Sequence, residues 1–274
     1  MGIMRLLENK YKSYLFLAII IFIAEMMSSC VDFNLYPPSE DIKLGKNLDS
    51  EIRKNKNEYP ILNKPEVKSY VQGVVNEIIR SPKIEYRGQF AYTVEIIKRD
   101  DIVNAFCAPG GYIYVYTGLL KFIDNEATLA GILAHEIAHA ERRHATQRIS
   151  KAYGMQLLSD AAFGEQKNKW EELGSNMFKG LSLLNNSRDN EYEADEYSFK
   201  YLQSTKWYPG SIKFFFDKIK NSVVDNDLKV VLSTHPLPQD RYDKVIDMLK
   251  KANTPPPNEK NTQYRKYLQF KNNL

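Results

Sequence analysis

The sequence predicts a mainly helical α+β fold in which a small β-sheet precedes a central helix. Three observations predict it. First, Pro65–Arg80 (PEVKSYVQGVVNEIIR) sets Val67, Val71, Val74, Val75, Ile78 and Ile79 at helical spacing behind an initial proline. Second, Ala91–Ile97 (AYTVEII) alternates and Tyr112–Tyr116 (YIYVY) is rich in β-formers. Third, within Leu120–Ser150 the stretch from Ala127 to Ala138 supplies strong helix formers, no proline, and Gly131 as its one weak position.

Composition bounds the class. At 274 residues the chain has room for one sizeable core or two small ones. With 43% hydrophobic, 26% charged and 12% aromatic residues it is globular rather than disordered or repetitive. A net charge of +4, scattered along the chain, does not argue for nucleic acid, and no nucleic-acid partner is expected.

In chain order, residues 1–29 read as a signal peptide. Arg5, Lys10 and Lys12 form a basic region before the apolar Tyr14–Ala24, which is shorter than the roughly 20 residues of a spanning helix. Met27-Ser28-Ser29-Cys30 resembles a bacterial lipobox, so Cys30 is the expected lipidation site, with an ordinary cleaved signal or a short uncleaved anchor as alternatives. Only Cys107 remains beside it, which a lipidated Cys30 would leave unpaired. Residues 30–38, ending in Pro37-Pro38, read as the lipidated Cys and a tether, residues 39–252 as the folded domain, and residues 253–274 as a C-terminal tail.

Ser39 is placed to cap a helix running to about Arg53. The turn-rich Asn104–Gly111 leads into Tyr112–Tyr116 as a hairpin or two adjacent strands, with an edge that could bind a peptide by strand addition. Lys151–Leu184 is helical in pattern but broken by glycines, with a polar loop at Glu165–Glu172. Asn185–Gln203, Pro209–Lys220 and Arg241–Lys251 read as helices and Ser233–Arg241 as a loop. Pro255-Pro256-Pro257 ends the pattern, and Asn261–Leu274 is left to dock or trail.

The chemistry concentrates at His135-Glu136-Ile137-Ala138-His139, an H-E-x-x-H pattern. Residues four apart on a helix share a face, so His135 and His139 can aim ring nitrogens at one metal ion while Glu136 reaches an attacking water. A catalytic zinc site takes three protein ligands and one open position. Glu191 and Asp195 are also four apart: one carboxylate can bind metal while the other orients a histidine through its free ring N–H. Glu193 is expected to point to solvent. His144 lies five beyond His139, not six, and reads as structural.

HEIAH, NSRDNEYEAD and THPLPQDR, preceded by NAFCAPGG, together resemble the Ste-type, HtpX and Oma-like zinc metallopeptidases (peptidase family M forty-eight), from about Ser39 to Lys251. The likeness is to the lipoprotein or periplasmic branch. It implies a thermolysin-like zincin domain holding one Zn2+ per chain through His135, His139 and Glu191, with Glu136 as general base and Asp195 as orienting acid. It also implies that His235 stabilises the tetrahedral intermediate or blocks the metal at rest, and that Asn104, Ala105 and Arg241 bind substrate. Cys107-Ala108 and Glu196 depart from the family's usual residues and bear on specificity rather than on the zinc ligands. The implied protein is an envelope metalloendopeptidase, lipid-anchored to a membrane through Cys30 and facing the periplasm. Its expected partners are unfolded or misassembled envelope polypeptides, lying extended along the Tyr112–Tyr116 edge. The alternative is a zinc-bound periplasmic chaperone with little proteolysis.

Overall fold

The computed structural model describes residues 34–151, 186–222, 226–236 and 239–274. The expectations for the signal peptide, Cys30 and the glycine-interrupted stretch with its Glu165–Glu172 loop lie outside the described residues. Residues 34–36 and 146–151 belong to a separate small unit. There Asn34 Nδ2 donates to Thr146 Oγ1 at 2.8 Å and the Leu35 N–H donates to Ser150 Oγ at 2.9 Å.

The main unit opens with helix α1, Pro38–Lys54. Its N-cap is Pro37 rather than Ser39, and the proline at the first helical position, whose missing N–H costs nothing there, starts the helix. Helix α2, Pro65–Ile78, buries Val67, Val71, Val74, Val75 and Ile78, the stripe its spacing predicts.

Strands β1 (Thr93–Ile97), β2 (Ala105–Ala108) and β3 (Tyr112–Tyr116) form one sheet in the order β1-β3-β2. β1 runs parallel to β3, and β2 runs antiparallel to it, with Phe106 opposite Tyr114. Alternation sorts β3 between two layers. Ile113 and Val115 join the main core, whereas Tyr112, Tyr114 and Tyr116 face a second cluster with Ile52 of α1. Because β3 is the central strand, its edges are both paired, and a peptide cannot add along Tyr112–Tyr116 as expected. The edge strands are β1, which Ile61 bridges at Ile97, and β2, whose side away from β3 pairs with no strand among the described residues.

Helix α3 (Thr117–Phe122) leads to helix α4 (Glu126–Glu141), in which every residue is buried. A helix buried on every face is a core helix whose polar groups need partners, and α4 is held through such pairs at both ends. Asn125 caps its start, accepting the Thr128 N–H at 2.8 Å. At its end the buried Glu141 accepts the Glu85 N–H at 2.7 Å and the Tyr92 hydroxyl.

Helices α5 (Arg188–Leu202), α6 (Ile212–Lys220), α7 (Asn226–Thr234) and α8 (Gln239–Lys251) follow. α5 packs along α4, and α6 crosses it where Gly131 lies. A Cβ at Gly131 would sit 2.6 Å from the Ile212 nitrogen and 2.8 Å from Ser211 Oγ. Part of the stretch read as the Ser233–Arg241 loop is helix: α7 runs to Thr234 and α8 begins at Gln239.

The C-terminal residues dock. Two short helices, α9 (Glu259–Thr262) and α10 (Tyr264–Lys271), bring the fully buried Tyr267 to the core, where its hydroxyl donates to Leu120 O at 2.7 Å. Lys266 Nζ pairs with Glu126 Oε2 at 2.7 Å, tying this segment to the first turn of α4.

Gly131→Ala tests the close approach of α4 and α6. Helix propensity alone favours alanine by about 0.5–1 kcal/mol. The contact predicts the opposite sign, a loss of about 1–3 kcal/mol in urea denaturation. A stabilised variant would show that α6 yields freely.

Candidate active site

The site forms where α4 and α5 pack, with His235 and Pro236, just past the end of α7, beside it. Four donor-bearing residues, His135, His139, Glu191 and His235, offer ligand atoms that all lie within 4.8 Å of one another. His135 Nε2 and His139 Nε2 face each other at 3.0 Å, as their i,i+4 spacing on α4 demands. Glu191, in the first turn of α5, completes the group: Oε1 lies 3.3 Å from His139 Nε2 and Oε2 lies 3.4 Å from His135 Nε2. His235, just past the end of α7, puts Nδ1 3.0 Å from Glu191 Oε1 and 3.4 Å from His135 Nε2. Asn186 Nδ2 stands 3.5 Å from the same His235 Nδ1, a contact with no signal in the sequence pattern.

Behind this group lies a second layer of charge. One turn along α5 from Glu191, Asp195 brings Oδ1 to 2.9 Å from His135 Nδ1, off the line of the ring N–H. Arg241 is only 2% exposed. Its guanidinium grips Asp195 at both oxygens, Nε to Oδ2 at 2.7 Å and Nη2 to Oδ1 at 2.8 Å. Its remaining nitrogen, Nη1, reaches Glu191 Oε2 at 2.6 Å and the Pro236 carbonyl at 2.9 Å. Arg241, expected at the substrate, is therefore occupied with two site carboxylates and the loop that carries His235.

Burial and charge set the proton affinities. Burial pushes the Glu136 carboxyl above its ordinary value, with His235 and His135 only partly opposing it. Burial also penalises a charged Glu191, but His235, His135 and His139 outweigh it and hold this carboxyl well below the usual range. Asp195 is lowered too, since Arg241 and His135 overcome its burial. Burial disfavours a charged His135, yet Asp195 and Glu191 raise it to about 10.

Three buried carboxylates, Glu136, Glu191 and Asp195, face one buried guanidinium, Arg241. Buried charge persists where it is paired or coordinates a metal. Without a metal a proton on His135 offsets part of the surplus; with the histidines neutral, as ligands must be, the group carries two surplus negative charges, which a divalent cation would balance. The donor chemistry therefore fits a metal ion.

A small pocket opens beside the cluster, lined by Asn104, Ala105, Glu136, His235 and apolar side chains that include Phe215 and Phe216. Asn104 is 6% exposed, and its Oδ1 has no hydrogen-bond partner among the described residues. The Cys107 backbone N–H acts to stabilise the Glu136 carboxylate, so the unpaired side of β2 faces the site.

Two residues set aside in the sequence stand close to the histidines. Glu193, expected in solvent, is half-buried and accepts from Arg142 Nε at 2.6 Å. His144 is fully buried, with Nδ1 2.7 Å from His139 Nδ1.

A paired-histidine helix with a carboxylate from a second helix defines a metal-dependent hydrolase site. The sequence pattern of Peptidase family M48 matches residues 65–248, and the chain belongs to that family. A putative beta-barrel assembly-enhancing protease of Vibrio cholerae is 27% identical over 222 residues, 76% of this chain and 44% of that protein. The beta-barrel assembly-enhancing protease of Escherichia coli is 25% identical over 205 residues, covering 70% of this chain and 41% of its own length. The mitochondrial metalloendopeptidase OMA1 of Arabidopsis thaliana is 31% identical over 141 residues, 52% of this chain and 28% of the relative. The chain thus spans less than half the length of these relatives.

Arg241→Met would leave two buried carboxylates without their cation. The expected loss is about 3–5 kcal/mol in urea denaturation, the range for breaking a buried pair from one side. A change near zero would mean that the bridged acids do not need Arg241.

Proposed function

We propose that this chain is a zinc-dependent metalloendopeptidase of the bacterial cell envelope, hydrolysing peptide bonds in misfolded or misassembled envelope proteins. The observation that carries the reading is the convergence of His135, His139 and Glu191, with Glu136 one residue along α4 from the first histidine. Tetrahedral zinc with bonds of about 2.0–2.1 Å has ligand atoms about 3.3 Å apart. The two ring nitrogens stand 3.0 Å apart, and the Glu191 carboxylate brings Oε1 to 3.3 Å from His139 and Oε2 to 3.4 Å from His135, spacings of that order. His135, His139 and Glu191 would hold the ion.

When bound, zinc supplies an electrophile that polarises the scissile carbonyl and brings the pKa of water to about 7. The raised proton affinity of Glu136 suits it to take the proton of the attacking water and pass it to the departing amine. Asp195 orients His135, and Arg241 holds Asp195 in place. His235 occupies the fourth corner of the donor cluster. It must give way for water, and from beside the carbonyl it can then donate to the developing oxyanion.

An extended substrate adds along the unpaired side of β2, where its backbone meets Asn104 and Ala105. The bacterial relatives are named for enhancing beta-barrel assembly, which supports proteins met during that assembly as substrates. Attachment to a membrane through lipid on Cys30 rests on the Met27–Cys30 pattern. No helix of the described residues is long and apolar enough to cross a membrane. Neither the site nor the relatives favour the chaperone alternative.

Glu136→Gln is expected to keep zinc while hydrolysis of unfolded casein falls by about 10²–10⁴-fold. Glu191→Ala is expected to lose zinc and hydrolysis together. Full activity in the Gln variant would sink the assignment.

A further inference from the structure

The geometry points to His144 and Glu193 as a relay that positions His139, fixing which of its ring nitrogens faces the metal. This role rests on the metallopeptidase reading above. His144 Nδ1 lies 2.7 Å from His139 Nδ1, its Nε2 lies 3.0 Å from Glu193 Oε2, and its ring is fully buried. Glu193 is held in turn by Arg142 Nε at 2.6 Å.

The hydrogens on this line are determined by its far end. Glu193 is a carboxylate and only accepts, so His144 carries its proton on Nε2. The neutral His144 ring then offers a lone pair at Nδ1, and His139 donates Nδ1–H to it. That leaves the lone pair of His139 on Nε2, the atom facing His135 Nε2 and Glu191. A doubly protonated His144 would reverse the second bond, put the His139 proton on Nε2, and abolish its capacity as a ligand. The relay therefore serves His139 as Asp195 serves His135.

The chain is built to deliver His144 to this place. On a continuous helix, residue 144 would lie about 140° around the axis from His139. Instead α4 ends at Glu141, and Arg143 takes a left-handed conformation, φ 58°, that turns the backbone. Arg143 is anchored by Asp41 of α1, Nε to Oδ2 at 2.8 Å. Glu193, two residues from both Glu191 and Asp195, leaves α5 on another side and meets the turn there.

The test uses the full-length chain in detergent, comparing the parent with His144→Phe, His144→Asn and Glu193→Ala. Zinc affinity is read by competition with a chelator of known affinity, and ligand geometry by the absorption spectrum of the cobalt(II) form. His144→Phe fills the space but accepts nothing, and is expected to weaken zinc binding by about 10–100-fold and to alter the cobalt spectrum. His144→Asn, whose amide oxygen stands where Nδ1 did, is expected to remain within about threefold of the parent. Glu193→Ala should fall between them.

A purely packing role predicts the reverse order, with Phe tolerated and Asn harmful, and that result overturns the relay. So does equal loss in the Phe and Asn variants. If circular dichroism shows His144→Phe unfolded, a folded Glu193→Ala with parental affinity overturns the relay by itself. A parent that binds and cleaves while its variants match it overturns this inference alone. A parent that takes up no zinc overturns the metallopeptidase reading and the relay together.

Discussion

The rest of the site depends on the burial of unbalanced charge between α4 and α5. Glu136, Glu191 and Asp195 are all out of water, and Arg241 is the buried cation that faces them. Carboxylates at such depth are costly unless they are paired or bind a metal. Arg241 bridges Asp195 and Glu191 and also holds the Pro236 carbonyl. One side chain thereby fixes the spacing of Glu191 and Asp195, the proposed ligand and orienting acids, and holds the residue that follows His235. The charge that remains is what a divalent ion would meet.

The scaffold serves that constraint. On the proposed reading, a helix that carries two metal ligands and a general base cannot rotate or slide without losing all three functions. α4 is accordingly buried along its whole length, capped by Asn125, pinned at its far end through Glu141, and crossed closely by α6 at Gly131. The C-terminal segment adds a further restraint through Tyr267 and Lys266. The sheet contributes an outer strand, β2, whose side away from β3 pairs with no strand among the described residues and, on the proposed reading, gives an extended peptide a track beside Glu136.

What was legible in the sequence followed local rules. His135, Glu136 and His139 are fixed by helical spacing, and the α2 stripe, the alternation of Ala91–Ile97 and the β-formers of Tyr112–Tyr116 are equally local signals. Spacing alone left Glu191 and Asp195 interchangeable, and the family resemblance was needed to separate their roles. Non-local features were not legible. The central place of β3 depends on β1 pairing across an intervening strand, so the expected edge at Tyr112–Tyr116 moves to β2. The family resemblance assigns Arg241 to the substrate, and only the fold brings it to Asp195. His144 was passed over because its position depends on a left-handed turn at Arg143, a residue with no intrinsic preference for one.

The central claim, that two histidines and a glutamate from α4 and α5 hold zinc, is tested most directly by zinc K-edge X-ray absorption on the metal-loaded full-length chain. The account predicts a four-coordinate ion with nitrogen and oxygen donors only, at about 2.0–2.1 Å. A sulfur donor near 2.3 Å would instead place the ion on a cysteine such as Cys107. That result, or a chain that retains no zinc, would contradict the account.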